Sequence, residues 1–435
     1  MLARWATCGL FFTFGLSVSA WIAGVPGLKE AFDLDDAQLG MLLLCYGMTC
    51  IIMAYPNSQL VGRLGPKTVT YMAVPASSLL LSALPWWRNT GRAPHWVVVV
   101  GGMLGSGYYT AFTVKATRLE QLLGKSVMSS FHACFSLGAL AGSSFFSALL
   151  RCGLSWSQVY PLQVLTAAGL TLGLVSLLPP DEAENLRGAH ACEEAEGCFG
   201  DGNLPEIDSP IAAACAAMLT PMRSSPQFVP DASPTSAGER RLDWRVLQLA
   251  TVSALALFTE ASVGDWGALF FMRYCDARMD QGPLLYAAFA FAMIPMRLFG
   301  DGLVDRYTRE TVFLCGGLIS FAGFASLVAF PTFWGAFCSA ALVGMGLANN
   351  VPIIQTCAAR SKLMSIAEVT ATLSALNSAA LLGGPSIIGP VSRRYGLRVA
   401  YLLPVLATTV LASSTNLLDV NRKKTRMFGD RVHVS

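Results

Sequence analysis

The sequence contains few charged residues. Asp, Glu, Lys and Arg make up 13% of its 435 residues, whereas an ordinary soluble domain contains about 25%. Hydrophobic residues account for 54%, and the mean hydropathy is +0.52. Because charges are scarce and apolar runs are long, a soluble globular fold is excluded and a protein with many membrane-spanning helices is indicated.

Motifs of several enzyme classes are missing as well. The sequence has no Gly-x-x-x-x-Gly-Lys-Ser/Thr loop for nucleotide phosphates, no nucleophile elbow and no metal-hydrolase motif. Its basic residues form no stripe interleaved with aromatic residues, as a nucleic-acid-binding surface would. We therefore expect neither an enzyme nor an ATP-driven pump nor a nucleic-acid partner, and the sequence predicts no cofactor.

The twelve cysteines do not form a disulfide or metal-binding pattern. Most lie singly within apolar segments, where cysteine acts as a small hydrophobic residue. His190, Cys192 and Cys198 lie close together in an acidic segment, but their spacing fits no standard zinc site. We interpret them as solvated side chains and predict no bound metal.

Twelve apolar segments are long enough to span a membrane, which takes about 20 residues. They predict an all-α membrane protein with twelve transmembrane helices. More Lys and Arg fall in the loops on the side of the chain termini, so we expect both termini to be cytoplasmic. The bias does not identify the membrane. The segments are 5–26, 37–61, 68–87, 96–117, 127–150, 156–178, 245–272, 283–304, 311–330, 333–358, 368–391 and 398–418.

A polar segment divides these helices into two sets of six. Residues 179–242 contain 8 of the 22 prolines and a cluster of acidic residues, a composition typical of disorder. We predict an N-terminal bundle over 1–180, a disordered acidic cytoplasmic linker over 181–242, a C-terminal bundle over 243–420 and a basic cytoplasmic tail over 421–435.

Three segments of the first half match segments of the second half in the same order. Residues 17–21 match 262–266 at an offset of 245, 62–67 match 305–310 at 243, and 136–142 match 378–384 at 242. The similar offsets predict two six-helix pseudo-repeat bundles. Two such halves around a site near the membrane midplane form the architecture of alternating-access transporters.

The loop after the second span resembles the signature of the major facilitator superfamily, Gly-x-x-x-Asp-Arg-x-Gly-Arg-Arg. The second copy retains Asp305, Arg306 and Arg309. The first retains Arg63, Gly65 and Lys67, but Gly62 stands where the signature has aspartate. Four further segments resemble a little-characterised inner-membrane branch related to fucose permease: Leu34–Gly40, Phe131–Gly138, Glu260–Trp266 and Gly383–Gly389.

The resemblance implies a cytoplasmic latch between the two halves, in which basic loop residues pair with carboxylates and helix ends. The alternative is that Arg63 and Lys67 only anchor the loop on the cytoplasmic side. The predicted gate comprises Arg63, Gly65, Lys67, Asp301, Asp305, Arg306 and Arg309.

Glu260 is the leading candidate for a functional residue. A charge at the bilayer centre costs at least about 2.5–3.5 kcal/mol, so such residues face a cavity or a partner and mark an ion or substrate path. We predict that Glu260 and Asp265 couple transport to protons, with Arg297 as a candidate partner. The alternatives are a solvated position for Asp265 and a local Arg297–Asp301 pair at the i,i+4 spacing.

Further polar and aromatic residues are predicted to line a solute cavity. Trp21 and Trp266 occupy matching positions in the two halves and suit the apolar face of a sugar, although both fit an interfacial aromatic belt equally well. His132 could relay protons or pack as a hydrogen-bonded side chain. Amides could bind hydroxyl groups or join helices. The amides concerned are those of Asn349, Asn350 and Asn377.

The resemblance and these residues together predict a monomeric secondary transporter in the lipid bilayer. Its solute would be small and polar, such as a sugar or a related metabolite, and symported with protons through Glu260. One alternative is an exporter of amphipathic compounds. The other is a non-transporting receptor or scaffold, which the missing aspartate at Gly62 favours.

Overall fold

The structure is a computed structural model that describes residues 2–87, 95–123, 128–178, 243–361, 363–364 and 366–418. Within these ranges the chain forms helices and no strand. The predicted linker over 181–242, with His190, Cys192 and Cys198, lies outside the described residues, as does the predicted tail over 421–435.

Within the described residues, the first half contributes eight helices and the second half another eight. Those of the first half are α1 (Leu2–Ala31), α2 (Asp36–Ile52), α3 (Ala54–Leu64), α4 (Pro66–Ser82), α5 (Leu84–Trp87), α6 (His95–Leu123), α7 (Met128–Arg151) and α8 (Trp156–Ser176). Those of the second half are α9 (Trp244–Tyr274), α10 (Gly282–Tyr307), α11 (Arg309–Ala329), α12 (Phe333–Leu347), α13 (Asn350–Ala358), α14 (Ile366–Tyr395), α15 (Leu397–Ala400) and α16 (Leu402–Ser413), and the short 3₁₀ helix Ser414–Leu417 follows.

Ten helical segments in the described part of the chain are long and apolar enough to cross a membrane. An eleventh is obtained if α2 and α3, which meet at a bend of 48°, form one span. The remaining predicted span corresponds to α14, a 30-residue helix that contains Pro385 and Pro390. The multi-pass helical membrane fold is therefore confirmed, whereas the count of twelve spans is not.

Each half is held together by long helices packed along one another. In the first half, α1 packs on α7 and α8, and α4 packs on α6 and α8. In the second half, α9 packs on α14, and α11 packs on α12 and α16. The halves meet mainly along two helix pairs, α2 with α14 and α7 with α10, and α1 also contacts α9 and α10. Polar residues on the facing sides of these helices are therefore placed between the halves.

Backbone conformation repeats between the halves. Residues with positive φ fall into three pairs, and the two members of each pair are 243 residues apart. This spacing agrees with the offsets of the sequence repeat. The pairs are Asp33 (47°) with Asp276 (53°), Gly65 (83°) with Thr308 (80°), and Gly153 (89°) with Gly396 (86°).

One member of these pairs occupies an unfavourable conformation. Thr308 has φ 80° and ψ 155°, a region that only glycine adopts readily, and its repeat partner is Gly65 with nearly the same angles. The strain costs about 1–3 kcal/mol. We expect Thr308→Gly to raise the free energy of unfolding by about 1 kcal/mol, because the relieved strain exceeds the roughly 0.5–1 kcal/mol entropic cost of glycine.

The measurement is the thermal unfolding midpoint of the purified protein in detergent. Gly65→Thr is the matched reciprocal variant and should lower the midpoint. A Thr308→Gly protein that unfolds at or below the wild-type temperature would show that Thr308 is not strained.

Candidate functional site: a polar cluster between the halves

Glu260 and Arg297 form an ion pair inside the helical bundle. Glu260 lies near the middle of α9, and Arg297 lies on the neighbouring α10. The Nη2 atom of Arg297 is 3.8 Å from Oε1 of Glu260, and the side chains are 15% and 24% exposed, respectively. The structure therefore brings together two residues that the sequence proposed as partners. The side chain of Asp301, the competing partner, lies outside the described residues.

Arg297 also reaches across to the first half of the protein. Its Nη1 atom donates to the Ser136 hydroxyl at 2.6 Å and to the backbone carbonyl of His132 at 3.3 Å. Both acceptors are on α7. One guanidinium group therefore contacts the carboxylate of its own half and a helix of the other half. This arrangement is suited to a group whose partners change when the halves move.

The position of Ser136 is fixed by close packing of α7 against α1. A Cβ atom on Gly15 would lie 2.1 Å from the Phe135 carbonyl oxygen, and one on Gly138 would lie 2.0 Å from the Phe12 carbonyl oxygen. Both glycines are required because the two backbones touch. Sequence reasoning assigned no role to Ser136, although it lies in one of the repeated segments and in the segment Phe131–Gly138.

His132 contributes its backbone carbonyl to this cluster, and its ring lies within electrostatic range of Arg297. Its side chain is exposed, and its ring contacts Phe11 edge-on with centroids 5.6 Å apart. The carbonyl accepts from Arg297 and from the Ser136 hydroxyl at 3.2 Å. The role of His132 as a proton relay stays a prediction.

Asp265 lies farther along α9 in aromatic surroundings. Its carboxylate is within electrostatic range of the phenol groups of Tyr46, Tyr286 and Tyr401. Tyr46 belongs to the first half and the other two belong to the second. Asp265, like Arg297, is therefore placed where the two halves face each other.

The two predicted tryptophans have different environments. Trp21 is partly exposed and stacks on Tyr46, with ring centroids 4.6 Å apart and an interplanar angle of 19°. Trp266 is fully buried. Trp21 therefore lies next to Tyr46, one of the tyrosines near Asp265, whereas Trp266 lies in the core. The two indoles do not face each other across an open cleft in this structure.

The predicted amides lie in the second half. Asn350 is fully buried, and its amide has no hydrogen-bond partner among the described atoms. Asn349 packs on Gly300, where an added Cβ would meet its Oδ1 atom at 2.3 Å. Oδ1 of Asn377 is also buried without a described partner. No described contact joins these amides to Arg297, so their part in solute binding stays a prediction.

The loop residues predicted as a cytoplasmic gate make their described contacts within their own halves. The Lys67 amino group donates to the Leu178 carbonyl at 2.6 Å, and Arg306 lies over the Tyr307 ring at 5.3 Å. Arg63, Asp305 and Arg306 are exposed, Arg309 is half-buried, and Gly65 ends α3 with positive φ. A latch between these loops stays a prediction for another conformation.

The fold and this site define a multi-pass membrane protein with two repeated halves and a polar cluster between them. A sequence model of the Major Facilitator Superfamily matches residues 6–362, and the chain belongs to that superfamily. It is a membrane transporter and not an enzyme.

The comparisons with individual proteins agree with this assignment. The chain is 29% identical over 405 residues to an uncharacterized MFS-type transporter of Yersinia pestis, covering 93% of each chain. It is 24% identical over 421 residues to the membrane protein MosC of Rhizobium meliloti, covering 95% of this chain and 89% of the other. The crystal structure of the nucleoside transporter NupG superposes with a TM-score of 0.65 at 13% identity, covering 96% and 98%.

The Glu260–Arg297 pair predicts a measurable energetic coupling. Arg297→Gln leaves the Glu260 carboxylate without a cationic partner in an apolar bundle, whereas the double variant with Glu260→Gln removes both charges. We expect the double variant to be more stable than the sum of the single effects predicts, by about 0.5–3 kcal/mol. The thermal unfolding midpoints of the wild type, both single variants and the double variant together form a double-mutant cycle. Additive effects would show that the two side chains do not interact.

Proposed function

We propose that the protein is a secondary active transporter that couples the movement of a small polar solute to protons through Glu260. The observation that carries this proposal is the position of Arg297. Its guanidinium group lies between the Glu260 carboxylate and two acceptors on α7 of the other half. The charge state of Glu260 therefore acts on a contact that joins the two halves.

Coupling follows from the cost of leaving a charge unpaired in an apolar bundle. When Glu260 is ionised, it neutralises Arg297. When Glu260 is protonated, Arg297 needs another acceptor, because an uncompensated buried charge is strongly destabilising. A solute oxygen that binds Arg297 supplies that acceptor. Proton binding and solute binding then favour each other, which is the reciprocal linkage that symport requires.

The polar groups of the site favour a solute rich in oxygen atoms. Arg297 has five donors in a planar fork, and Ser136 adds a hydroxyl beside it. A sugar or a related metabolite fits this chemistry. Since NupG, which shares the fold, is a nucleoside transporter, nucleosides are a second solute class to test.

The proposal includes an orientation and an oligomeric state. With both termini in the cytoplasm, α1 begins on the inner side at Leu2 and ends on the outer side at Ala31. All of the contacts invoked lie within one chain, so a monomer contains the complete site.

The test is proton movement in proteoliposomes that contain the purified protein. Sugars, nucleosides, organic acids and hydrophobic cations are added one at a time, and the external pH is followed. We expect one polar solute class to alkalinise the medium with the wild type and to lose this effect with Glu260→Gln, because the variant cannot bind the coupled proton. Glu30→Gln, an exposed residue at the end of α1, is the matched control and should behave as the wild type does.

Asp265→Asn is measured in parallel because Asp265 is the second predicted coupling carboxylate. We expect a smaller loss than with Glu260→Gln, since Asp265 has no ion-pair partner among the described residues. Wild-type alkalinisation by Glu260→Gln would contradict the proposal. A signal from hydrophobic cations alone would replace it with an exporter of amphipathic compounds.

A further inference from the structure

Asp36 is the centre of an ionic cluster that joins the two halves at one end of the bundle. We call this the distal end, defined as the end at which α1 finishes, at Ala31. Asp36 is 6% exposed. Its carboxylate accepts two hydrogen bonds from Arg273, at 2.9 and 3.1 Å, and one from the Ser392 hydroxyl. Lys29 lies 2.8 Å from the same carboxylate.

The partners of Asp36 come from different halves. Arg273 lies in the last turn of α9 and Ser392 lies near the end of α14, both in the second half, whereas Lys29 belongs to α1 of the first half. Charge-assisted bonds of this bidentate kind are roughly twice as strong as neutral ones. Separation of the halves at the distal end must therefore break the strongest part of this cluster.

Two further ion pairs cross between the halves at the same end. Arg393 of α14 lies 3.4 Å from the Asp35 carboxylate. On the other edge, Arg151 at the end of α7 lies 3.1 Å from Asp280, in the loop before α10. A hydrogen bond from Arg278 holds the pKa of Asp280 below its usual range, so Asp280 is ionised at neutral pH. Ion pairs therefore cross between the halves at both contacts, α2 with α14 and α7 with α10.

The backbones themselves touch next to the Asp36 cluster. A Cβ atom on Gly40 of α2 would lie 2.5 Å from the Pro385 carbonyl oxygen of α14. One on Gly389 of α14 would lie 2.7 Å from the Asp36 carbonyl oxygen. Only glycine permits this approach, and it brings the Asp36 carboxylate within reach of Ser392. Close packing and the ionic cluster thus act at one place.

We propose that the Asp36 cluster is the distal gate, which closes that end of the transporter and opens by loss of the ionic contacts that join the two halves. When the halves part, Asp36 loses Arg273 and Ser392 but keeps Lys29, which moves with it. The Asp36 carboxylate therefore always has a cationic partner. The Arg273 side chain is 37% exposed even in the closed arrangement. Water can therefore solvate its guanidinium group when Asp36 moves away. This gate depends neither on the identity of the solute nor on proton coupling.

The two charges of the first half should have opposite effects on the gate. Asp36→Asn weakens bonds present only in the closed distal end, so it favours opening. Lys29→Gln removes the partner that remains when the end is open, and it therefore favours closure. A residue that only stabilises the fold would not produce effects of opposite sign.

Hydrogen–deuterium exchange of the full chain in lipid nanodiscs tests this directly. Peptides covering residues 34–40 and 386–395 report on the distal end, and peptides covering 54–64 report on the other. With Asp36→Asn we expect distal exchange to rise about tenfold and exchange at the other end to fall. A tenfold shift corresponds to about 1.4 kcal/mol. Glu30→Gln removes an exposed acid at the same end and should leave exchange unchanged.

Lys29→Gln should lower distal exchange in the same experiment. Arg151→Gln removes the ion pair with Asp280 and provides another test if Asp36→Asn does not fold. It should raise distal exchange to a smaller extent, because the Arg151 side chain is 51% exposed. Distal exchange equal to that of the Glu30→Gln control would overturn the proposal. So would a uniform rise along the chain, since it would show that Asp36 stabilises the fold rather than a gate.

Discussion

Arg297 carries a permanent positive charge into a bundle made almost entirely of apolar helices. A guanidinium group in that position must find acceptors, and Arg297 finds them in both halves of the protein, at Glu260 and on α7. The closeness of α1 and α7, which glycines permit, keeps those acceptors within reach. The site and the coupling proposal both follow from this single requirement.

The same requirement operates at the distal end with the signs reversed. There the buried charge is the Asp36 carboxylate, and its cationic partners come from both halves. In each case, movement of the halves breaks the contacts to the other half and leaves the charge a partner of opposite sign in its own half. The retained partner keeps the energetic difference between conformations small, which a transporter needs because both conformations must be visited in every cycle.

Much of the fold was predictable because membrane helices are encoded by local composition. The apolar runs gave the helices, and the sequence offsets agree with the 243-residue spacing of the positive-φ pairs. Glu260 and Arg297 stood out because charges in apolar runs are rare. The number of spans could not be predicted from composition alone, since α2 and α3 meet at a bend and α14 is interrupted by polar and proline residues.

Other features depend on packing and left weaker signals. Asp36 and Arg273 are 237 residues apart, and no motif in the sequence indicates that they pair. The burial of Trp266 depends on the rotation of α9, which composition does not determine. The sequence does not distinguish Ser136 from other serines, because its contact with Arg297 depends on how α10 packs against α7. Contacts between the halves were therefore the part of the site that could not be derived from the sequence.

The most direct test of coupling through Glu260 compares exchange with uphill accumulation, using the solute that drives proton movement. In proteoliposomes, counterflow requires solute binding and movement of the halves, whereas accumulation against a gradient also requires the proton. Glu260→Gln should retain counterflow and lose accumulation. If the variant still accumulates solute under a proton gradient, Glu260 does not couple transport, and the shared guanidinium is only a structural contact.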